Sequence, residues 1–203
     1  MRESGILHRV AVSAAARKIT VSRFAFLLPI TVFALDAWYL LALCAAAVAA
    51  HEAGHWLVLR LRGGEVLRVT ISPLGVSLKY GGNLSYGGEI LTALAGPAAS
   101  LILTLGGAGA GRAFGWDAAY QLAGLSLLFG LFNLLPVYPL DGGRAVYNAA
   151  AYLFGLDAAR GAAIFLRAVI LGAAAAGGLW LLLRPEHNPT LLCCALALLA
   201  ARE

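Results

Sequence analysis

The sequence predicts an all-α polytopic membrane protein of about six transmembrane helices, with a small re-entrant β-hairpin between the second and third helices. Three observations lead to this prediction. Hydrophobic residues make up 61% of the 203-residue chain and charged residues 12%, whereas soluble domains are about 45–50% apolar and about 25% charged. The apolar residues form segments of spanning or near-spanning length. One stretch between two of these segments alternates with the period of a β-strand.

Six apolar segments are candidates for the transmembrane helices, since a helix needs about 20 residues to cross the hydrocarbon core. In chain order they cover residues 21–35, 37–61, 89–111, 118–135, 161–183 and 189–201, and the first and last are short. A cleaved signal peptide ending near Ala34 is an alternative interpretation of the N-terminus. The apolar run resumes after Asp36, however, which favours a retained first helix.

The distribution of Lys and Arg predicts the orientation, because cytoplasmic loops carry an excess of these residues. With six spans, one side holds only Arg112 and Arg184, while Arg167 lies within the fifth span. The other side holds twelve basic residues: Arg2, Arg9, Arg17, Lys18, Arg23, Arg60, Arg62, Arg68, Lys79, Arg144, Arg160 and Arg202. We therefore expect an integral multi-pass membrane protein with both termini in the cytoplasm.

The net charge of +5 and the pI near 9.4 do not indicate a nucleic-acid-binding protein. The basic residues are spread between apolar segments, and no basic stripe is interleaved with aromatic residues. The chain also contains no charge-rich or Ser/Pro-rich linker and no internal repeat. We therefore expect a single domain over residues 1–203, without an appended regulatory or peptide-binding domain.

The predicted β-hairpin lies between the second and third segments. Polar and apolar residues alternate over residues 68–72 and again over 76–80, on either side of a turn that contains Pro73 and Gly75. β-Branched residues with period two around a Pro/Gly turn are typical of a hairpin. Such backbone is tolerated at membrane depth only where protein or a water-filled cavity shields it. A re-entrant sheet beside a site fits this requirement, and an ordinary amphipathic surface hairpin remains the alternative.

The second segment contains the run His51-Glu52-Ala53-Gly54-His55. Residues four apart lie one above the other on a helix, so His51 and His55 can offer two imidazole nitrogens to one zinc ion. Glu52 can reach a zinc-bound water as a general base, the arrangement of the HExxH motif. The alternative is a polar patch satisfied by neighbouring backbone. A charge in an apolar helix costs about 2.5–3.5 kcal/mol, which favours a functional role.

A catalytic zinc ion commonly has three protein ligands and an open position for water, so a third ligand is required. Asp141 is the best candidate, since the prolines before it and the glycines after it predict a broken helix that lines a cavity. The predicted topology puts it on the same side as the HEAGH run. His8 and His187 are alternatives that we interpret as solvated loop residues. Asp141 could instead be the N-cap of a helix that begins at Gly142.

Together, the HEAGH run and the sequence NLLPVYPLDGGR at residues 133–144 resemble the motifs of the site-2 protease family of intramembrane zinc metalloproteases. The run Ala95-Gly96-Pro97 also matches a pattern of this family. The compact form is most similar to the bacterial branch typified by stage IV sporulation protein FB. The motifs cover about residues 40–144, and the number of spans extends the resemblance to the whole chain.

The resemblance implies that His51, His55 and Asp141 bind one Zn²⁺ per chain and that Glu52 activates water. It also implies that Asn133 positions the substrate or the cleavage intermediate. The expected activity is that of a zinc metalloendopeptidase in the bacterial cell membrane. It would hydrolyse a peptide bond in or next to a transmembrane segment, near the cytoplasmic face, as in regulated intramembrane proteolysis.

The expected partners are the lipid bilayer and a membrane-embedded or membrane-tethered protein substrate, such as a transcription-factor precursor or an anti-sigma factor. An inhibitory membrane partner or a homo-oligomer is compatible with the sequence. The alternative function is a zinc-binding transporter or a non-catalytic membrane regulator. A carrier has little need of Glu52 beside a ligand, and transporters often show an internal repeat that this chain lacks.

Overall fold

The computed structural model of the chain describes residues 18–21, 38–72, 75–82 and 84–183. Within these residues the chain is mostly helical and carries one small sheet. The helices are α1 (Trp38–Leu61), α2 (Tyr86–Phe114), α3 (Asp117–Asn133), α4 (Asp141–Phe154) and α5 (Leu156–Leu182). The strands are β1 (Lys18–Val21), β2 (Glu65–Ser72) and β3 (Gly75–Gly81).

The prediction of a mostly helical membrane protein is confirmed. Among the described residues, α1, α2 and α5 are long and apolar enough to cross a membrane. Helix α3 has 17 residues, at the lower end of the length that crosses a bilayer. The predicted first and sixth segments lie outside the described residues, apart from Val21, so the count of six spans stays a prediction.

Helix α4 is not one of the six predicted segments; only the alternative interpretation of Asp141 as an N-cap implied a helix here. Its sequence begins with Asp141-Gly142-Gly143, and glycine is a poor helix former. A Cβ atom at Gly142 would overlap with the backbone of Leu134, and one at Gly143 with the backbone of Val137. The segment before α4 therefore lies directly against its first turn, and the glycines that weaken the helical pattern allow this close approach.

The sheet has three strands in the order β1–β2–β3, one more than the predicted hairpin. Strands β2 and β3 pair antiparallel, with Ser72 opposite Gly75 and an irregularity between Val66 and Arg68. Strand β1 pairs parallel with β2, and Lys18 lies opposite Arg68. Val21, where we expected the first span to begin, instead ends β1. Strand β2 is thus central, and among the described strands β3 and β1 form the two edges.

The helices pack around α2, which contacts α1, α3 and α4, while α5 packs against α4. The interior of the described part consists mainly of small and polar side chains, with a few larger apolar ones such as Leu59 and Val137, and most large apolar side chains face outward. Such an arrangement suits a helix bundle in lipid, where small residues allow close packing. The buried set includes Ala47, Ala93, Ser100, Ala123, Ser126 and Ala145, and the exposed set includes Ile102, Leu128, Ile164, Phe165 and Trp180.

Helices α1 and α2 lie in close contact at Gly54, within the HEAGH run. A Cβ atom there would overlap with the carbonyl oxygen of Ala95 and with the methyl group of Ala99. The glycine therefore allows the histidine-bearing face of α1 to lie directly against α2.

The substitution Gly54→Ala should lower the midpoint of thermal unfolding in detergent. The added methyl group forces α1 away from α2, and overpacking costs about 1–3 kcal/mol, against about 1 kcal/mol gained in helix propensity. Gly106→Ala is the matched control, because a Cβ at Gly106 in α2 has no described atom within 4 Å. An unchanged midpoint for Gly54→Ala would contradict this packing.

Candidate metal centre

Three potential metal ligands meet between α1 and the first residue of α4. His51 and His55 lie one turn apart on the same face of α1, and Asp141 opens α4. The Oδ2 atom of Asp141 lies 2.9 Å from Nε2 of His51 and 3.1 Å from Nε2 of His55. The two Nε2 atoms lie 3.2 Å apart. The three residues are only 1%, 6% and 7% exposed, so the group is shielded from its surroundings.

The second nitrogen of each histidine ring has its own partner. Nδ1–H of His55 donates a hydrogen bond to the carbonyl oxygen of Thr92, at 2.7 Å. Because a carbonyl oxygen only accepts, the proton of the neutral ring is on Nδ1 and the lone pair of Nε2 points at the carboxylate. Oxygen and nitrogen lone pairs do not approach to about 3 Å without a positive charge between them. The site therefore calls for a proton or a metal ion at its centre.

The ring of His51 is held on two sides. Its Nδ1 lies 2.9 Å from Oγ of Ser100 on α2, and the ring of Phe129 on α3 packs against it edge-on, with centroids 4.8 Å apart. The hydroxyl of Ser126 donates to the carbonyl oxygen of Ser100, at 2.9 Å. Partners of this kind orient a metal-binding histidine and sharpen metal affinity.

The described residues fit a metal ion by both distance and chemistry. Ligand atoms at about 2.0–2.1 Å from a tetrahedral zinc ion lie about 3.3 Å from one another, close to the separations of 2.9 to 3.2 Å found here. Two imidazoles and one carboxylate are a ligand set that zinc uses in catalytic sites.

Gly96 on α2 provides the space for such an ion. A Cβ atom at this position would overlap with the Nε2 atoms of both His51 and His55. Glycine is thus the residue that leaves the ligand nitrogens room to converge. Together with the ligand set, this space shows that the His51–His55–Asp141 group can bind a metal.

Glu52 is half-buried next to the first histidine. It interacts electrostatically with His55, Asp141 and Arg144, so its carboxylate lies in the field of the candidate centre. No hydrogen bond joins it to another residue in the described part of the chain. A carboxylate that is close to the centre and not engaged by the fold is available for proton transfer.

The remaining predicted residues fall as follows. Asn133 ends α3, and its amide donates to the carbonyl oxygen of Phe129, at 2.9 Å; its role in positioning substrate stays a prediction. The N-cap of α4 is Leu140, so the alternative interpretation of Asp141 as an N-cap is wrong. His8 and His187 lie outside the described residues.

The sequence did not lead us to predict Thr92 and Ser100 as partners of the histidines, and we assigned no role to Gly96. The three residues follow one another at intervals of four along α2, so they share one face of the helix. Polar and small residues at this spacing in an apolar helix were the signal from which a buried polar face could have been predicted. Nothing in the sequence alone shows that this face lies against α1.

The chain is similar in sequence to zinc metalloproteases. It is 38% identical to Rip3, a candidate zinc metalloprotease of Mycobacterium tuberculosis, over an alignment of 168 residues covering 67% of this chain and 40% of Rip3. It is 38% identical to a candidate zinc metalloprotease of Synechocystis, covering 54% of this chain and 31% of that protein. For a zinc metalloprotease of Methanocaldococcus jannaschii the identity is 31%, and the coverages are 53% and 33%. The chain thus spans less than half of the length of these relatives.

The fold is shared with a solved structure, the site-2 protease from Methanocaldococcus jannaschii. The TM-score is 0.71 at 23% identity, and the match covers 89% of this chain and 86% of that protein. No protein-family model matches the chain.

The substitution Gly96→Ala should abolish zinc binding, because the new methyl group occupies the space where the histidine nitrogens converge. Zinc content of the purified protein measures this, with circular dichroism to verify folding. Gly109→Ala, also in α2, is the control, since a Cβ there has no described atom within 4 Å. Full zinc content in Gly96→Ala would show that the metal does not bind here.

The substitution Ser100→Ala should weaken zinc affinity by about 10–100-fold, the usual effect of removing a group that orients a histidine ligand. Competition with a chelator measures the affinity. Thr104→Val is the control, since Thr104 donates to the carbonyl oxygens of Ser100 and Ala123 rather than to a histidine. Equal affinities for wild type and Ser100→Ala would contradict the role given to Ser100.

Proposed function

We propose that the chain is an intramembrane zinc metalloendopeptidase of the site-2 protease family, with one zinc ion per chain. The observation that carries the proposal is the buried convergence of His51, His55 and Asp141, with the half-buried carboxylate of Glu52 beside it. The sequence relatives described as zinc metalloproteases and the shared site-2 protease fold support it. The assignment to the branch typified by stage IV sporulation protein FB stays a prediction.

The ligands in this proposal are Nε2 of His51, Nε2 of His55 and a carboxylate oxygen of Asp141. A zinc ion bound by these residues would supply a Lewis acid and would lower the pKa of a water that it binds. Glu52 accepts a proton from the attacking water and then donates it to the amide nitrogen as the C–N bond breaks. Thr92 and Ser100 keep the histidine rings oriented throughout, because their hydrogen bonds lie on the side away from the reaction.

The presence of Glu52 favours a protease over a carrier or a non-catalytic regulator. A carrier needs the three ligands but has no use for a free carboxylate beside the first of them. Placing such a carboxylate in an apolar helix costs free energy. A role as the general base of a hydrolase explains why the residue is there despite this cost.

The proposed substrate is a membrane-embedded or membrane-tethered protein, cleaved in or next to a transmembrane segment near the cytoplasmic face. A transcription-factor precursor or an anti-sigma factor would fit regulated intramembrane proteolysis. The outward-facing apolar side chains of the helices support access from the bilayer. The predicted orientation, with cytoplasmic termini, is consistent with the pairing of Lys18 opposite Arg68, since both belong to the more basic side.

Strand β3 is the proposed edge for the substrate. A peptide that adds to a sheet edge is held extended by main-chain hydrogen bonds, the form that hydrolysis requires. Either strand of the predicted hairpin could have offered such an edge. In the described sheet, however, β1 already pairs with residues 68–71 of β2, so β3 offers the longer unpaired edge of the hairpin.

Co-expression with membrane-tethered transcription factors and small membrane proteins tests the proposal. The wild type should produce a shortened fragment of its substrate. The substitution Glu52→Gln should reduce cleavage by about 10²–10⁴-fold, because the proton acceptor is lost, while zinc content stays at the wild-type level. The readout is the amount of fragment on an immunoblot.

Glu65→Gln is the matched control, since Glu65 is exposed at the start of β2. It should cleave like the wild type. Undiminished cleavage by zinc-loaded Glu52→Gln would show that another group serves as the base. Zinc binding without cleavage of any substrate by the wild type would favour the carrier or regulator.

A further inference from the structure

A polar cluster joins three elements beside the candidate metal centre. We call it the Arg144 cluster; it consists of Arg144 on α4, Tyr80 on β3 and Glu89 in the first turn of α2. The hydroxyl of Tyr80 donates to Oε2 of Glu89, at 2.9 Å, and the guanidinium of Arg144 donates to the Tyr80 oxygen. Arg144 also lies 3.9 Å from Oε2 of Glu89 and 4.8 Å above the Tyr80 ring centroid.

The cluster is stronger than an ordinary surface ion pair. The side chains of Arg144 and Glu89 are only 25% and 29% exposed, and bonds to charged groups in such surroundings are about twice as strong as neutral ones. Burial raises the pKa of Tyr80, the charge of Arg144 lowers it by less, and Glu89 raises it further. Tyr80 therefore stays a neutral phenol that can accept from Arg144 and donate to Glu89 at once.

The position of the cluster links the sheet to the metal centre. Arg144 follows Asp141 by three residues, so the candidate metal ligand and the anchor of the cluster share the first turn of α4. Tyr80 lies near the end of β3, opposite Val66 of β2. The backbone of the sheet packs against α1, whereas the side chains of Arg144 and Tyr80 connect it to α4.

We propose that Arg144, acting through Tyr80 and Glu89, is a positioning residue that holds the edge of β3 in a fixed place relative to Asp141. A peptide paired with β3 is then presented to the metal centre in a single register. The inference rests on the proposed function, which it extends by assigning how the substrate is aligned.

The test uses the full chain in lipid nanodiscs and compares Tyr80→Phe and Arg144→Gln with the wild type. Tyr80→Phe keeps the ring beneath Arg144 and removes both hydroxyl hydrogen bonds. Both variants should raise KM about tenfold, the effect of losing a hydrogen bond to a charged group. In Tyr80→Phe, which leaves the charge near Glu52 unchanged, kcat should stay within about twofold. Mass spectrometry should find cleavage at more than one bond, and the β3 amides should exchange hydrogen faster. Arg144→Lys, which keeps the charge, should restore part of the loss.

The matched control is Arg160→Gln, which removes a positive charge from an exposed residue of α5 that pairs with Asp157 in its own helix. It should match the wild type in every measurement. Unchanged KM, cleavage position and amide exchange in Tyr80→Phe and Arg144→Gln would overturn the proposal. So would a loss of zinc or a fall in kcat alone, because the cluster would then only support the metal centre.

The amide-exchange measurement separates this inference from the proposed function. If the wild type cleaves no substrate, the proposed function fails, but exchange at β3 still decides the role of the cluster. Faster exchange in both variants supports the anchoring of β3 to α4, and unchanged exchange overturns it.

Discussion

Three potential ligand atoms, Nε2 of His51, Nε2 of His55 and a carboxylate oxygen of Asp141, lie about 3 Å apart inside a bundle of apolar helices. Because the proton of His55 is on Nδ1, the grouping calls for a proton or a metal ion at its centre, and much of the surrounding structure serves to create it. Gly54 lets α1 lie against α2, and Gly96 leaves the nitrogens room to meet. The glycines of α4 bring Asp141 back over the preceding segment. These close approaches explain why the interior is made of small residues.

The chemistry of the site follows from what each helix contributes. Helix α1 supplies two ligands and the candidate base, which its geometry places within one turn. Helix α2 supplies no ligand, but it fixes the histidine rings through the carbonyl of Thr92 and the hydroxyl of Ser100. Helix α4 supplies the carboxylate and, three residues later, the arginine that reaches the sheet. The candidate centre and the candidate substrate edge are therefore connected through one helical turn.

Much of this site could be predicted from sequence, because its chemistry is local. Two histidines four residues apart and a glutamate between them define their own geometry, and Asp141 stands out as an acidic residue in a broken apolar segment. The partners on α2 could not be predicted, since Thr92 and Ser100 are ordinary helix residues until α1 packs against them. Strand β1 was missed for a similar reason. Four residues are too few to show the alternation of polar and apolar residues that indicates a strand. Their pairing with β2 also joins residues about 50 positions apart in the chain, which the local sequence does not indicate.

The parallel pairing of β1 with β2 has a practical consequence for handling the protein. Deleting Lys18–Val21, for example when an N-terminal tag is attached closer to α1, would leave β2 with unpaired amide and carbonyl groups over residues 68–71. Open strand edges of this kind pair with other chains. The shortened protein would then be prone to self-association through the sheet, and a substrate peptide could pair with β2 instead of β3. The four residues of β1 therefore act as a cover that leaves β3 as the accessible edge of the hairpin.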